Sequence, residues 1–94
     1  MVYAAIIDYG PDIAKIAEFR PAHREYLRDL ISQNKLVISG PFVDDSGGLL
    51  VYNAETEADV DAIIKSDPFY KCGVFKTWTI RPWKIVMANR ELLP

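Results

Sequence analysis

Hydrophobic positions in this chain fall in short dense runs, separated by stretches where they recur every third or fourth residue. The first run, Val2 to Asp8, reads as a strand. Both of its alternating sets, Val2/Ala4/Ile6 and Tyr3/Ala5/Ile7, are apolar, whereas a strand with one face in water would show polar residues at alternate positions. Tyr9-Gly10-Pro11-Asp12 then punctuates the chain. Ile13, Ile16 and Ala17 have helical spacing up to Phe19. Pro21 has no backbone donor, so the pattern predicts a short helix first and a longer one from about Pro21 to Asn34, with Pro21 in its first turn. The longer helix sets Tyr26, Leu27, Leu30 and Ile31 on one face and Arg24, Glu25, Arg28 and Asp29 on the other.

A second strand is expected over Leu36–Val43, with Gly40-Pro41 marking a bulge or its end. Asp44 to Gly48 reads as a hairpin turn and Leu49–Ala54 as a third strand, again apolar on both faces. Thr56 with Asp59 forms a capping pattern for a second helix, whose buried stripe is Val60, Ile63 and Ile64. Phe75–Ile85 is the last strand, and Val86–Pro94 is a tail that packs on a neighbour or frays. The order strand, helix, strand, strand, helix, strand is the ferredoxin-like split pattern, an α+β fold with a four-stranded antiparallel sheet, here a single domain over residues 1–94. Two helices cover one face of such a sheet. Strands one and three are apolar on both sides, and Trp78 and Ile80 add bulk on strand four. A bare apolar face is an aggregation hazard, so the pattern predicts a homodimer joined through the sheets.

Composition narrows the function classes. A net charge of −2 with no long basic run argues against nucleic acid or an anionic membrane as partner. The third strand also lacks the basic and aromatic positions of RNA-recognition domains. No apolar run approaches the ~20 residues that span a bilayer, and Met1 to Tyr9 lacks the features of a signal peptide. A lone cysteine, Cys72, allows no internal disulfide, which fits a reducing cytoplasm. One histidine and one cysteine do not make an ordinary zinc site. Nothing in the pattern requires a cofactor, and the lone histidine gives no particular support for haem.

Chemistry concentrates at two distant points. His23 falls on the apolar face of its helix, behind Leu27 and Leu30, while its charged neighbours point away. One reading is a core histidine satisfied by one hydrogen bond; the other is a general base. In Ser66-Asp67-Pro68-Phe69-Tyr70-Lys71-Cys72-Gly73, Pro68 fixes its own φ and pushes Asp67 out of helical geometry, which sets where the carboxylate points. Asp before Pro is equally an ordinary N-cap and first-turn pair. If the fold joins His23 to Asp67, they make an acid–base pair. Ser39 is a small hydroxyl in an apolar strand, either a packing residue or a polar contact in a pocket. Cys72 reads as a small buried residue.

Arg20-Pro21-Ala22-His23, Tyr26-Leu27, Ser39-Gly40-Pro41, Asp67-Pro68-Phe69, Gly73 and Pro82-Trp83 occur here in an order that resembles the YciI-like (YCII-related) family. The resemblance runs from the first strand through Trp83. It implies a dimeric α+β barrel, the larger group that also holds muconolactone isomerase-like enzymes, and an active site in which His23 and Asp67 form a dyad. Some relatives act on small ring compounds in aromatic degradation. Two departures bear on the pocket and not on the fold. Arg24 stands where many relatives carry an apolar residue, and Asn34 or Lys35 where a glycine is often seen. The expectation is a cofactor-free lyase, isomerase or dehalogenase acting on a small ring-derived or anionic molecule. His23 would be the base, Asp67 would orient it, Ser39 would contact substrate, and Arg20 or Arg81 would bind an anionic group. The alternative is a non-catalytic ligand-binding or accessory protein.

Overall fold

A computed structural model describes all 94 residues. The strands are β1 (Val2–Tyr9), β2 (Leu36–Pro41), β3 (Gly47–Asn53) and β4 (Phe75–Pro82); the helices are α1 (Ile13–Ser32), α2 (Glu57–Lys65) and the short α3 (Pro68–Lys71). The four strands form one sheet in the order β2-β3-β1-β4, with every neighbouring pair antiparallel. This is the ferredoxin-like α+β arrangement. No helix is long and apolar enough to cross a membrane.

The core lies between the helices and one face of the sheet. Tyr3, Ala5 and Ile7 of β1 and Leu50 and Tyr52 of β3 meet Ile16, Leu27 and Leu30 of α1 and Val60 and Ile64 of α2. Register fixes the other face. Ile6 stands opposite Leu49, and Ala4 opposite Val51, which itself faces Ile38. Val51, central on that face, is fully buried, but Ile6, Leu49 and Ile38 remain 51%, 39% and 39% exposed. Trp78 and Ile80 do not belong there. They pair with Ile7 and Ala5 and so face the helices, and Trp78 Nε1 donates to Asp61 of α2 at 3.0 Å.

The chain differs from the sequence expectation at Pro21, which lies inside one continuous helix. Pro21 cannot donate to the Ala17 carbonyl, yet both residues are exposed, so water can serve that carbonyl. Ile16, His23, Leu27 and Leu30 form one buried stripe across the proline, and its burial outweighs a local cost of roughly 3 kcal/mol. Asn34 takes φ +59° after the helix, a left-handed conformation that asparagine tolerates better than most residues. The second and fourth strands stop earlier than expected, at Pro41 and Pro82. Pro41 ends an edge strand, where its missing N–H costs least. Thr56 caps α2 as expected, accepting from Asp59 N–H at 3.1 Å. The tail beyond Pro82 is exposed, with one 3-10 turn at Arg90–Leu92.

Candidate active site

The Asp67-Pro68 pair fulfils both of its readings. Asp67 is the N-cap of α3, Pro68 opens the helix, and Asp67 Oδ1 accepts from Phe69 N–H at 2.9 Å. The same carboxylate meets His23, whose Nδ1 lies 2.8 Å from Oδ1 and 2.9 Å from Oδ2. A carboxylate only accepts, so Nδ1 carries the hydrogen and donates. The imidazole's free lone pair is then on Nε2, at the far edge of the ring. Asp67 is 0% and His23 6% exposed. Phe69 stacks on the His23 ring with centroids 4.0 Å apart and planes 11° off parallel, and Phe75 meets it edge-on at 5.9 Å. Carboxylate and aromatic walls together fix the plane and tautomer of the imidazole. Gly73, at φ +87°, ends α3 and turns the chain so that Val74 N–H reaches the Phe69 carbonyl at 2.9 Å. That turn holds Phe69 against the ring.

His23 lines a cavity of about 640 Å³ between α1 and the β2–β3 side of the sheet. Arg20, Arg24, Leu27, Arg28 and Ile31, which recur at helical spacing, form one wall with it. Ser39, Gly40, Pro41 and Leu50 form the other, and Tyr9 and Pro94 complete the lining. The volume lies within the ordinary range for small-molecule pockets. Arg20 Nη2 donates to Asp45 Oδ1 at 2.8 Å, tying α1 to the β2–β3 turn.

Of the residues expected at a site, the fold brings His23, Asp67, Arg20 and Ser39 together, with Asp67 behind the imidazole. Arg81 lies elsewhere. It stands opposite Ala4, on the face of the sheet away from the helices. Its neighbour Ile80 faces inward, and strand alternation sends Arg81 outward. Cys72 is half-buried and its thiol donates to the Phe69 carbonyl at 3.6 Å.

Arg24, Arg28 and Tyr9 bring polar groups to the lining beyond those expected. Arg24 and Arg28 are exposed, as the face division expects, and the cavity along the flank of α1 reaches them as well. Tyr9 reads in sequence as turn punctuation. In the fold it continues the inward set Tyr3/Ala5/Ile7, and that parity was the available signal. Its ring lies 5.5 Å from Phe69 and 5.9 Å from Phe75. Burial pushes the Tyr9 phenol up to about 12; the Arg20 charge opposes this, while Asp67 and Asp45 reinforce it. The phenol therefore stays protonated at any ordinary pH. Burial, then the Asp67 charge, also raises Tyr26 and raises Tyr52 strongly. Tyr26 donates to the Ile63 carbonyl at 2.7 Å, whereas the buried Tyr52 hydroxyl has no protein partner.

The chain as a whole is similar to known proteins. The family model for the YCII-related domain matches residues 1–84. The uncharacterized protein YjpA of Bacillus subtilis (strain 168) is 33% identical over 63 residues, spanning 67% of this chain and 73% of that protein. Among solved structures, 5-chloro-2-hydroxyhydroquinone dehydrochlorinase (TftG) from Burkholderia phenoliruptrix AC1100, in complex with 2,5-dihydroxybenzoquinone, superposes with a TM-score of 0.78 at 26% identity. That match covers 89% of this chain and 94% of the dehydrochlorinase.

Proposed function

The chain belongs to the YCII-related domain family, and from that premise we propose that it is a cofactor-free enzyme of the lyase, isomerase or dehalogenase type. Its substrate would be a small ring-derived or anionic molecule, handled by acid–base catalysis at His23. The observation that carries this reading is the buried bidentate contact between His23 Nδ1 and Asp67 beside an open cavity. In this mechanism Nε2 takes a proton from a substrate hydroxyl or acidic C–H. Asp67 keeps the ring oriented and offsets the charge of the imidazolium that forms. In an isomerisation the proton returns to another carbon. In a dehydrohalogenation the released electron pair moves into the ring and a halide leaves with its bonding pair. The net change is loss of one hydrogen halide, and no oxidant or reductant is consumed. Arg20 and Ser39 are the nearby groups proposed to hold substrate oxygens.

The reading takes support from the dehydrochlorinase likeness, since that protein acts on a hydroxylated chlorinated ring. We further propose that the working form is a homodimer joined through the exposed apolar sheet face around Ile6, Leu49 and Ile38. One observation favours a second reading, that of a ligand-binding or accessory protein. Asp67 Oδ1 also serves as the α3 cap, so the pair has a structural use without any reaction.

The test is a panel of small acids, lactones and halogenated hydroxy-arenes assayed with wild type, His23→Ala and Asp67→Asn, alongside melting curves. Turnover by wild type that falls by roughly 10²–10⁴-fold in His23→Ala, with the fold intact, is the expected result. Turnover that survives both substitutions makes the pair structural and favours the binding protein.

A further inference from the structure

Half of the residues lining the cavity carry polar side chains. The wall carries the guanidinium groups of Arg20, Arg24 and Arg28, the hydroxyls of Tyr9 and Ser39, and His23. No Asp or Glu lines it, although the chain as a whole has a net charge of −2. Two of the three guanidinium groups are already engaged. Arg20 pairs with Asp45 at 2.8 Å, and Arg28 pairs with Glu25 at 3.1 Å. Arg24 has no ion pair and no side-chain hydrogen bond. Its position is one residue from His23 on the helix, on the same cavity wall.

We propose that the cavity takes a planar organic anion of single-ring size, and that Arg24 is the residue that reads its charge. This rests on the reading of the cavity as a small-molecule site. A planar guanidinium matches two oxygens of a carboxylate or of an ionised hydroxyquinone side by side. Arg20 already gives part of its fork to Asp45, through Nη2 at 2.8 Å. With the charged edge on Arg24, the ring's acidic hydroxyl or C–H can approach Nε2 of His23, which carries the free lone pair of the imidazole. A neutral ring leaves Arg24 unmatched and gains less from the site.

The experiment is a titration of the full chain at neutral pH with 2,5-dihydroxybenzoquinone, a vinylogous acid that is ionised there, and with hydroquinone as the neutral ring. Wild type, Arg24→Gln, Arg24→Lys and Lys35→Gln are compared by calorimetry; Lys35→Gln removes the same charge away from the cavity. Arg24→Gln should weaken the anion about tenfold, the scale of one charge-assisted hydrogen bond. Arg24→Lys should recover part of that loss, Lys35→Gln should match wild type, and hydroquinone should bind all four proteins alike. Added salt should narrow the gap between wild type and Arg24→Gln. If Arg24→Gln binds the anion within twofold of wild type, or if wild type holds hydroquinone as tightly as the anion, the inference is overturned while the small-molecule site stands. If wild type binds neither ring at millimolar concentration, the inference falls together with the ring-compound reading of the cavity.

Discussion

The two faces of the sheet are built from the same kind of residue and end in opposite states. On the helix side Tyr3, Ala5, Ile7, Leu50 and Tyr52 are closed over by α1 and α2, and a fully buried carboxylate lies behind the one histidine, whose ring stacks on Phe69 beside the cavity. On the other side Ile6, Leu49 and Ile38 stay partly in water, and polar groups such as Thr77 and Asp8 pair at the edge, at 2.9 Å. A polar pair is cheap at a wet edge and expensive in a closed core, where each group left without a partner adds to the cost. Asp67 receives two hydrogens there, that of His23 Nδ1 shared between both oxygens and that of the Phe69 amide on Oδ1. The difference teaches where to look for chemistry in a small domain. The informative face is the one that keeps a charge it could have done without.

Substitutions can separate the faces by scale. The largest effect is expected on the covered side: His23→Ala should lower any turnover by roughly 10²–10⁴-fold, because the base is lost outright. Steady-state assays beside circular dichroism check this. Next comes the open face. The double change Ile6→Asp, Leu49→Asp sets like charges opposite each other in register and should weaken self-association at least about a hundredfold. Sedimentation at micromolar concentration should show a dimer for wild type and a monomer for the variant; a wild-type monomer there would sink the proposed dimer. Asp67→Asn should cost less activity than His23→Ala and roughly 1.5–3 kcal/mol of stability, the range for a hydrogen bond to a charged group, measured by urea unfolding.

Alkali should also act through the covered side. The Tyr9, Tyr26 and Tyr52 phenols are all raised in the folded chain. A group with a raised folded value contributes stability that is complete below the unfolded value, about 10 for tyrosine, and is lost as pH climbs toward the folded one. Melting temperature should therefore fall between pH 10 and about 12, the range set by Tyr9. Tyr52→Phe should blunt that fall while changing neutral-pH stability by no more than about 1 kcal/mol, since the hydroxyl it removes has no protein partner. The smallest effect belongs to the open face again. Thr77→Ala removes an exposed hydrogen bond and should cost about 0.5–1 kcal/mol.

Much of this contrast was legible in the residues. Alternation in Val2–Ile7 gave β1 and its two apolar faces, helical spacing put His23 inward, and Pro68 fixed the backbone at Asp67. The meeting of His23 and Asp67 was not readable from spacing, because 44 residues separate them and only the packed α1 and α3 set the distance. Pro21 misled because local propensity cannot count the burial of Ile16 and Leu27 on either side of it. Arg81 could have been placed by parity with Trp78 and Ile80, which face the helices. The exposure of Arg24 and Arg28 was legible; their place at the cavity was not, since a two-face division of a helix has no flank, and the cavity opens along one.

One oxygen in this molecule answers to two masters. Asp67 Oδ1 accepts from His23 and from the Phe69 amide at 2.8 and 2.9 Å. Whatever strengthens its hold on the imidazole changes what it offers that amide. Solvent exchange of the Phe69 amide hydrogen is thus a native probe of the pair, readable by nuclear magnetic resonance without a substrate or a label. Its protection factor should shift when His23 gains a proton or a ligand fills the cavity, even where no turnover can be detected.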